Sequence, residues 1–478
     1  MLFRHTLLYL PAQLLGPLLQ FIAAVVWTHQ MDTVAYGVVT YLIAAQELAF
    51  VFVLGWWSSY MLRFRGDLAA KIGVRLAQQD LAFVTAGSAL QILAAFIILS
   101  SISVTITPSL AFLTALFLVV RSALGHYSEI CRTEHAIATY TVGQLSGPLF
   151  GSALSFWALY QYGPDPRAVL GAMAFAQGLG LLIVLRRLGV SGRPIMPDRA
   201  LIRSAFAYCA PLVAGSLPYW VSMNGVRIVV DNLDGAVALG LLSVGWGLGQ
   251  RIAAVAASLV TAAAFPLAVK QMEAGDKDGA LRQVAMNGML VLGLLMPVAI
   301  GAYAISRQLV ELVIALPFRD ATIVIFPIAA AAGAARNYAI HGVSQSFLLL
   351  KRTELTLILN LFDAVLHIVG AIVGLHFGGI VGATWGCLAA ALVGILVSQT
   401  IAFTYGLPVF PTIIARIALA AVLMGAAVLV VAWPSSTIGL IGAIATGGIV
   451  YAVALALLFP RQVSRLAAIA ARRGGTAV

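Results

Sequence analysis

The chain has 478 residues, 62% hydrophobic and only 9% charged, with a formal net charge of +11 and a mean hydropathy of +1.01. This balance excludes an ordinary soluble protein and predicts a polytopic membrane protein, because the short loops between apolar runs leave no room for a soluble domain. The basic residues fall in alternate loops, which excludes a nucleic-acid footprint, and Cys131, Cys209 and Cys387 are too scattered for a disulfide framework or a zinc site.

At about 20 apolar residues per crossing, helices are expected near 6–28, 38–61, 79–101, 109–130, 140–160, 168–188, 205–230 and 236–268. Six more follow near 284–305, 321–350, 354–376, 379–404, 412–433 and 437–460, giving an all-α protein of about fourteen transmembrane helices. The first run is read as a helix and not as a secretory signal, since no small-x-small pattern precedes Asp32. Outside the spans, one set of loops holds only Arg167, Arg307 and Arg319, and the other set holds all remaining Lys and Arg residues, including the tail with Arg461, Arg465, Arg472 and Arg473. By the positive-inside rule both termini are cytoplasmic.

Four arginines, Arg121, Arg227, Arg251 and Arg336, stand inside spans. Each costs about 2.5–3.5 kcal/mol at a helix centre, so a watery cavity, a carboxylate or an anionic ligand is expected beside it. Arg251 and Arg336 are nearest the centres of their helices, with Arg121 toward the cytoplasm and Arg227 toward the outer mouth. No lysine lies in any span; guanidinium keeps its charge and binds phosphate oxygens in a planar fork.

An internal repeat is visible. Arg132-Thr133-Glu134 recurs as Arg352-Thr353-Glu354, Tyr36-Gly37 pairs with Leu239-Gly240, and Pro11 pairs with Pro211. Two pseudo-symmetric six-helix lobes are therefore expected at 1–188 and 205–404, joined by a basic linker at 189–204, with two further helices and a tail at 405–478. Such a parallel repeat suits an alternating-access carrier.

Glu47 in "AAQELAFVF" reads as a buried carboxylate, and an offset of 203 between lobes sets it near Arg251. It serves either as a structural ion pair or as a protonatable gate. On helix eleven Asn360, Asp363 and His367 share one face. An Asp–His pair there suits coupling to H+ or Na+, and the other reading is an inter-helix hydrogen-bond network. The glycines of "VGWGLGQ" are expected to bend helix eight, and Trp56-Trp57 to belong to an interfacial aromatic belt. No metal site and no cofactor are expected.

The opening "LLYLPAQLLGPLLQFIAAVVWTHQMDTVAYGVVTYLIAAQELAFVFVLGW" and the second-lobe "VRIVVDNLDGAVALGLLSVGWGLGQRI" resemble the Wzx-type polysaccharide flippases of the multidrug/oligosaccharidyl-lipid/polysaccharide exporter superfamily. In that family an acidic residue commonly precedes the arginine equivalent to Arg227, where this chain has Val226. The resemblance implies transfer of a polyprenyl-pyrophosphate-linked oligosaccharide across a bacterial inner membrane, with pyrophosphate expected on Arg251, Arg336, Arg121 and Arg227. It also implies a polysaccharide polymerase and a chain-length protein as company. Two other classes remain: an amphiphile or drug extruder of the same superfamily, which favours buried carboxylates, and a membrane polymerase or glycosyltransferase, which needs a larger outer loop or an Asp-rich metal motif.

Overall fold

The structure, a computed structural model, describes residues 2–190 and 192–461, with side chains placed in 15–190, 192–257 and 265–461. Arg465, Arg472 and Arg473 of the basic tail lie outside the described residues. The helices are α1 Leu2–Gln30, α2 Thr33–Ile72, α3 Val74–Ser100, α4 Pro108–Thr133, α5 137–162, α6 Pro166–Leu188, α7 199–234 and α8 236–273. They continue as α9 Lys277–Val313, α10 Leu316–Leu349, α11 353–377, α12 380–404, α13 Pro411–Val430 and α14 Thr437–Leu458. The expected all-α polytopic fold is thus present, and ten helical stretches among the described residues are long and apolar enough to cross a membrane.

Local chemistry sets the boundaries. Asp32 accepts from Ala35 N at the start of α2, and Thr107 and Ser436 cap α4 and α14 through their hydroxyls. Gly189 ends α6 in the left-handed region, where glycine meets no Cβ penalty. The linker is shorter than the sequence implies: α7 begins at Arg199, its first turn aided by Asp198, whose carboxylate accepts from Ala200 N at 3.3 Å. Gly235, at φ 84°, separates α7 from α8, and Gly378 with Gly379 separates α11 from α12.

The chain forms two compact units, Met1–Val244 and Gly245–Val478. The division falls inside α8, later than the linker, because α7 packs along α2: Trp220 Nε1 donates to the Ala44 carbonyl at 3.0 Å, and Tyr60 and Ser204 hydroxyls meet at 3.0 Å. Gly37 and Gly240, mates in the repeat, touch each other there, a Cβ on Gly37 falling 2.8 Å from Gly240 N.

The repeat is also visible in how α4 and α10 end. His135 and Lys351 both take a positive φ (56° and 57°), and Ala136 N and Arg352 N reach back to the Cys131 and Phe347 carbonyls at 2.9 and 2.8 Å. This alignment differs from the tripeptide match, because Arg132 lies in the last turn of α4 whereas Arg352 caps α11.

Glycines set the helix spacing. Gly245 and Gly249 keep helical geometry, and each lies against α10, with a Cβ falling 2.8 Å from Ile325 and 2.6 Å from Ala330 N respectively. In the α11–α12 hairpin Gly370 faces Gly386 and Gly374 faces Gly382, backbone against backbone. Two small residues one turn apart permit this close approach, which drives membrane helix association where no hydrophobic effect acts between helices. Among the described residues three π turns, at Val51–Gly55, Ser146–Gly151 and Ala339–Val343, each add a residue to an otherwise regular span.

A methyl group at Gly386 would overlap the Gly370 carbonyl. Gly386→Ala is expected to cost about 3 kcal/mol, whereas Gly448→Ala, which meets open space, should be neutral or stabilising by up to about 1 kcal/mol. Thermal unfolding in detergent reads both.

Candidate functional site

Arg121 projects from α4 toward α2. Its Nε donates to Gln46 Oε1 at 2.5 Å, its Nη2 lies 3.8 Å from Glu47 Oε1, and the guanidinium sits 5.9 Å from the Phe117 ring centre. The Glu47 contact is long for an ion pair, and both side chains keep exposure, 28% for Arg121 and 56% for Glu47. They line a cavity of about 360 Å³ inside the first unit, with Gln144, Ser128, Gln177 and Glu129 also on its wall. Gly143 and Gly147 make room for two of these side chains: a Cβ at Gly143 would stand 2.5 Å from Ser128 Oγ, and one at Gly147 would overlap the Gln177 amide. The π turn beginning at Ser146 interrupts regular helix at this level of α5.

Glu47 is therefore not the most buried acid. Among the described residues Asp80 and Asp231 are the buried carboxylates, at 2% and 1% exposure. Asp231 in α7 accepts from Ser103 N at 3.3 Å.

In the second unit Arg336 is buried at 5% exposure, and its Nη2 lies 3.7 Å from Asp363 Oδ2. His367 Nδ1 is 2.8 Å from the Asp363 carbonyl and 3.3 Å from its Oδ1. A Cβ on Gly394 of α12 would stand 3.0 Å from Asp363 Oδ1, so that helix closes over the carboxylate. Of the helix-eleven residues, Asp363 and His367 come together, and Asp363 also meets Arg336, which the sequence did not connect to it. Asn360, half-buried, lies one turn before Asp363.

The two arginines occupy matching positions. Arg121 precedes the left-handed His135 by 14 residues and Arg336 precedes Lys351 by 15, the extra residue being that inserted by the π turn at Ala339–Val343. From the same landmarks Asp363 matches Gly147. One repeat thus places a carboxylate where the other has glycine and an open cavity.

The remaining candidates are Arg227 and Arg251. Arg227 in α7 is half-buried and its Nη1 donates to Asn224 Oδ1. It is not among the residues lining the Arg121 cavity. Arg251 in α8 is half-buried and follows Gln250, whose Nε2 donates to the Ala329 carbonyl at 3.3 Å.

A further polar network escaped the sequence pattern. Asp80 Oδ1 accepts from Trp57 Nε1 at 2.7 Å and lies 2.9 Å from His126 Nε2, while His126 Nδ1 is 2.8 Å from Ser58 Oγ. All four side chains are buried. Trp57 stacks on Phe83 at 3.9 Å and is fully buried, so it is not an interfacial belt residue. The signal was present: Asp80 and His126 are ionisable residues inside apolar runs, where each demands a partner. Outside the membrane, Arg167 hydrogen-bonds Asp165 at the turn before α6 and holds its carboxyl below the usual range.

No family model matches the sequence, and no curated protein matches it. Solved structures do. The fold is similar to that of the lipid II flippase MurJ in an inward closed conformation, with a TM-score of 0.74 and 13% identity over 96% of this chain and 100% of that one. An inward-facing multidrug resistance MATE transporter of the MOP superfamily gives 0.53 and 16% over 81% of this chain and 95% of the other. A Vibrio cholerae MATE transporter gives 0.55 and 16% over 84% and 96%. At these identities the likeness is one of fold.

Asp80→Ala removes the acceptor shared by Trp57 and His126 and is expected to cost about 3 kcal/mol. Ser58→Ala should cost about 1 kcal/mol. Unfolding in detergent checks that order.

Proposed function

We propose that this protein is a transporter that flips a polyprenyl-pyrophosphate-linked oligosaccharide from the cytoplasmic to the periplasmic leaflet of a bacterial inner membrane, by alternating access, for cell-surface or extracellular polysaccharide synthesis. The observation that carries the reading is the polar cavity within the membrane-spanning part of the first unit, with Arg121 on its wall. A sugar pyrophosphate cannot cross hydrocarbon without replacing its hydration, and a fixed guanidinium beside carboxamides supplies that replacement. Likeness of fold to a lipid II flippase over nearly the whole chain supports the same reading.

In this scheme a phosphate oxygen displaces Glu47 from Arg121, so Glu47 acts as a gate that the cargo opens. Arg251 and Arg227 are further pyrophosphate contacts. Arg336 changes role: its charge is met by Asp363, and a proton or sodium ion taken up at Asp363, His367 or Asn360 would release it. A polymerase and a chain-length protein are the expected downstream partners.

Arg121→Ala is expected to slow flipping of a lipid-linked oligosaccharide in proteoliposomes at least about tenfold, the loss of one charge-assisted contact, while Arg121→Lys retains part of the rate. Unchanged flipping by Arg121→Ala rejects the contact. Asp363→Asn should shift the pH or sodium dependence of flipping, and an unmoved profile would leave the Arg336 cluster structural. One observation favours a second reading, a cation extruder: Glu47 and Glu129 line the same cavity. Efflux of a cationic dye that survives Arg121→Ala and fails in Glu47→Gln would select it.

A further inference from the structure

We infer that Pro297 and Pro327 make residues 298–326 a hinged arm of the second unit, held in its present bend by the Tyr451 hydroxyl of the terminal helix α14. This rests on the alternating-access reading above and gives the two terminal helices a part in it.

Pro297 lies inside α9 and Pro327 inside α10. Proline has no N–H, so each frees the carbonyl four residues earlier, that of Gly293 and that of Ile323. In hydrocarbon such a carbonyl needs another donor. Both receive a hydroxyl from a different helix: Tyr451 Oη donates to the Gly293 carbonyl at 2.6 Å, and Ser306 Oγ of α9 donates to the Ile323 carbonyl at 2.6 Å. The two bonds differ in what they join. Ser306 and Ile323 both lie between the prolines, on the two legs of the hairpin that turns at Ile314 and Ala315, so their bond pins the legs together. Tyr451 instead reaches across a break. Before Pro297, α9 belongs to the core: Leu281 and Val284 share one buried cluster with Phe347, and Val291 and Leu295 share another with Ala253. After Pro297, α9 is held by α13 and the loop that follows it. A Cβ on Gly425 would fall 2.5 Å from Ile300, Gln308 Nε2 donates to the Trp433 carbonyl at 3.4 Å, and Ser435 Oγ donates to Glu311 Oε2 at 3.4 Å. α14 lies against α13 in turn, a Cβ on Gly447 falling 3.2 Å from Val428. The Tyr451–Gly293 bond therefore ties the arm and its two carrier helices to the core half of α9. Proline breaks are where membrane helices bend, and one neutral hydrogen bond across such a break is weak enough to open and close.

The test is a spin-label distance measurement on the full chain in nanodiscs, with Cys131, Cys209 and Cys387 replaced by alanine. Nitroxides sit on Leu316→Cys at the tip of the arm and Phe377→Cys at the end of α11, both exposed positions. This chain should show two populated distances. Tyr451→Phe, which removes only the hydroxyl, should change their ratio by about fivefold, the worth of one neutral hydrogen bond. Pro297→Ala restores a backbone donor to Gly293, so it should narrow the distribution, and Tyr451→Phe should then have no further effect. A hydroxyl that only packs α14 would lower the unfolding temperature and leave the distances alone. A distance distribution unmoved by Tyr451→Phe overturns the inference, as does an equal response to Tyr451→Phe with and without Pro297. No cargo enters the measurement, so either result leaves the flippase reading standing. An arm that responds as expected in a protein that flips no lipid-linked oligosaccharide sinks that reading and not the hinge.

Discussion

Placing charge inside a membrane-spanning bundle governs the architecture more than any other constraint. A guanidinium in hydrocarbon costs several kcal/mol unless water, a counter-charge or hydrogen-bond acceptors surround it. Arg121 and Arg336 meet this requirement by different means. Arg336 is buried against Asp363 under α12, a closed arrangement. Arg121 is shared between a carboxamide and a distant carboxylate at the edge of an open volume. The second arrangement leaves the guanidinium partly exposed on the cavity wall.

Close helix packing complements this. The α11–α12 hairpin and the α8–α10 contact rely on glycines that let backbones meet. At α5, by contrast, Gly143 and Gly147 admit the polar side chains of Ser128 and Gln177. The same residue type thus meets backbone in one region and polar side chains in another. In the Asp80–His126 network the Ser58 hydroxyl lies between the Leu54 carbonyl at 3.0 Å and His126 Nδ1 at 2.8 Å.

Much of the fold was legible from apolar run length, since each crossing needs about 20 residues and the structure supplies helices at every expected place. Register was harder. The repeated Arg-Thr-Glu tripeptide misleads by four residues, because chain reversal is set by His135 and Lys351, whose left-handed geometry has no residue-type signature here. A π turn then adds a residue that simple counting does not anticipate. At the site, the arginines and the helix-eleven stripe were readable as charges in apolar runs. Their partners were not, because Glu47 with Arg121 and Arg336 with Asp363 depend on which helices become neighbours. The neighbours of Gly245 and Gly249 were unreadable for a related reason: sequence does not say which helix a glycine admits.

The relocation of the acid between repeats has a consequence for how such a chain diverges. In one half the counter-charge to the matched guanidinium comes from α2 and the α5 position is glycine; in the other it comes from α11, while Gln250 stands where the offset of 203 sets the mate of Glu47. Halves descended from one ancestor could exchange these arrangements only through an intermediate with two carboxylates around the cation or with none. The doubly acidic ancestor is the cheaper route, since a surplus acid can take up a proton whereas an arginine cannot shed one. The present outcome is one half whose guanidinium is buried against its acid and one whose guanidinium keeps exposure on a cavity wall.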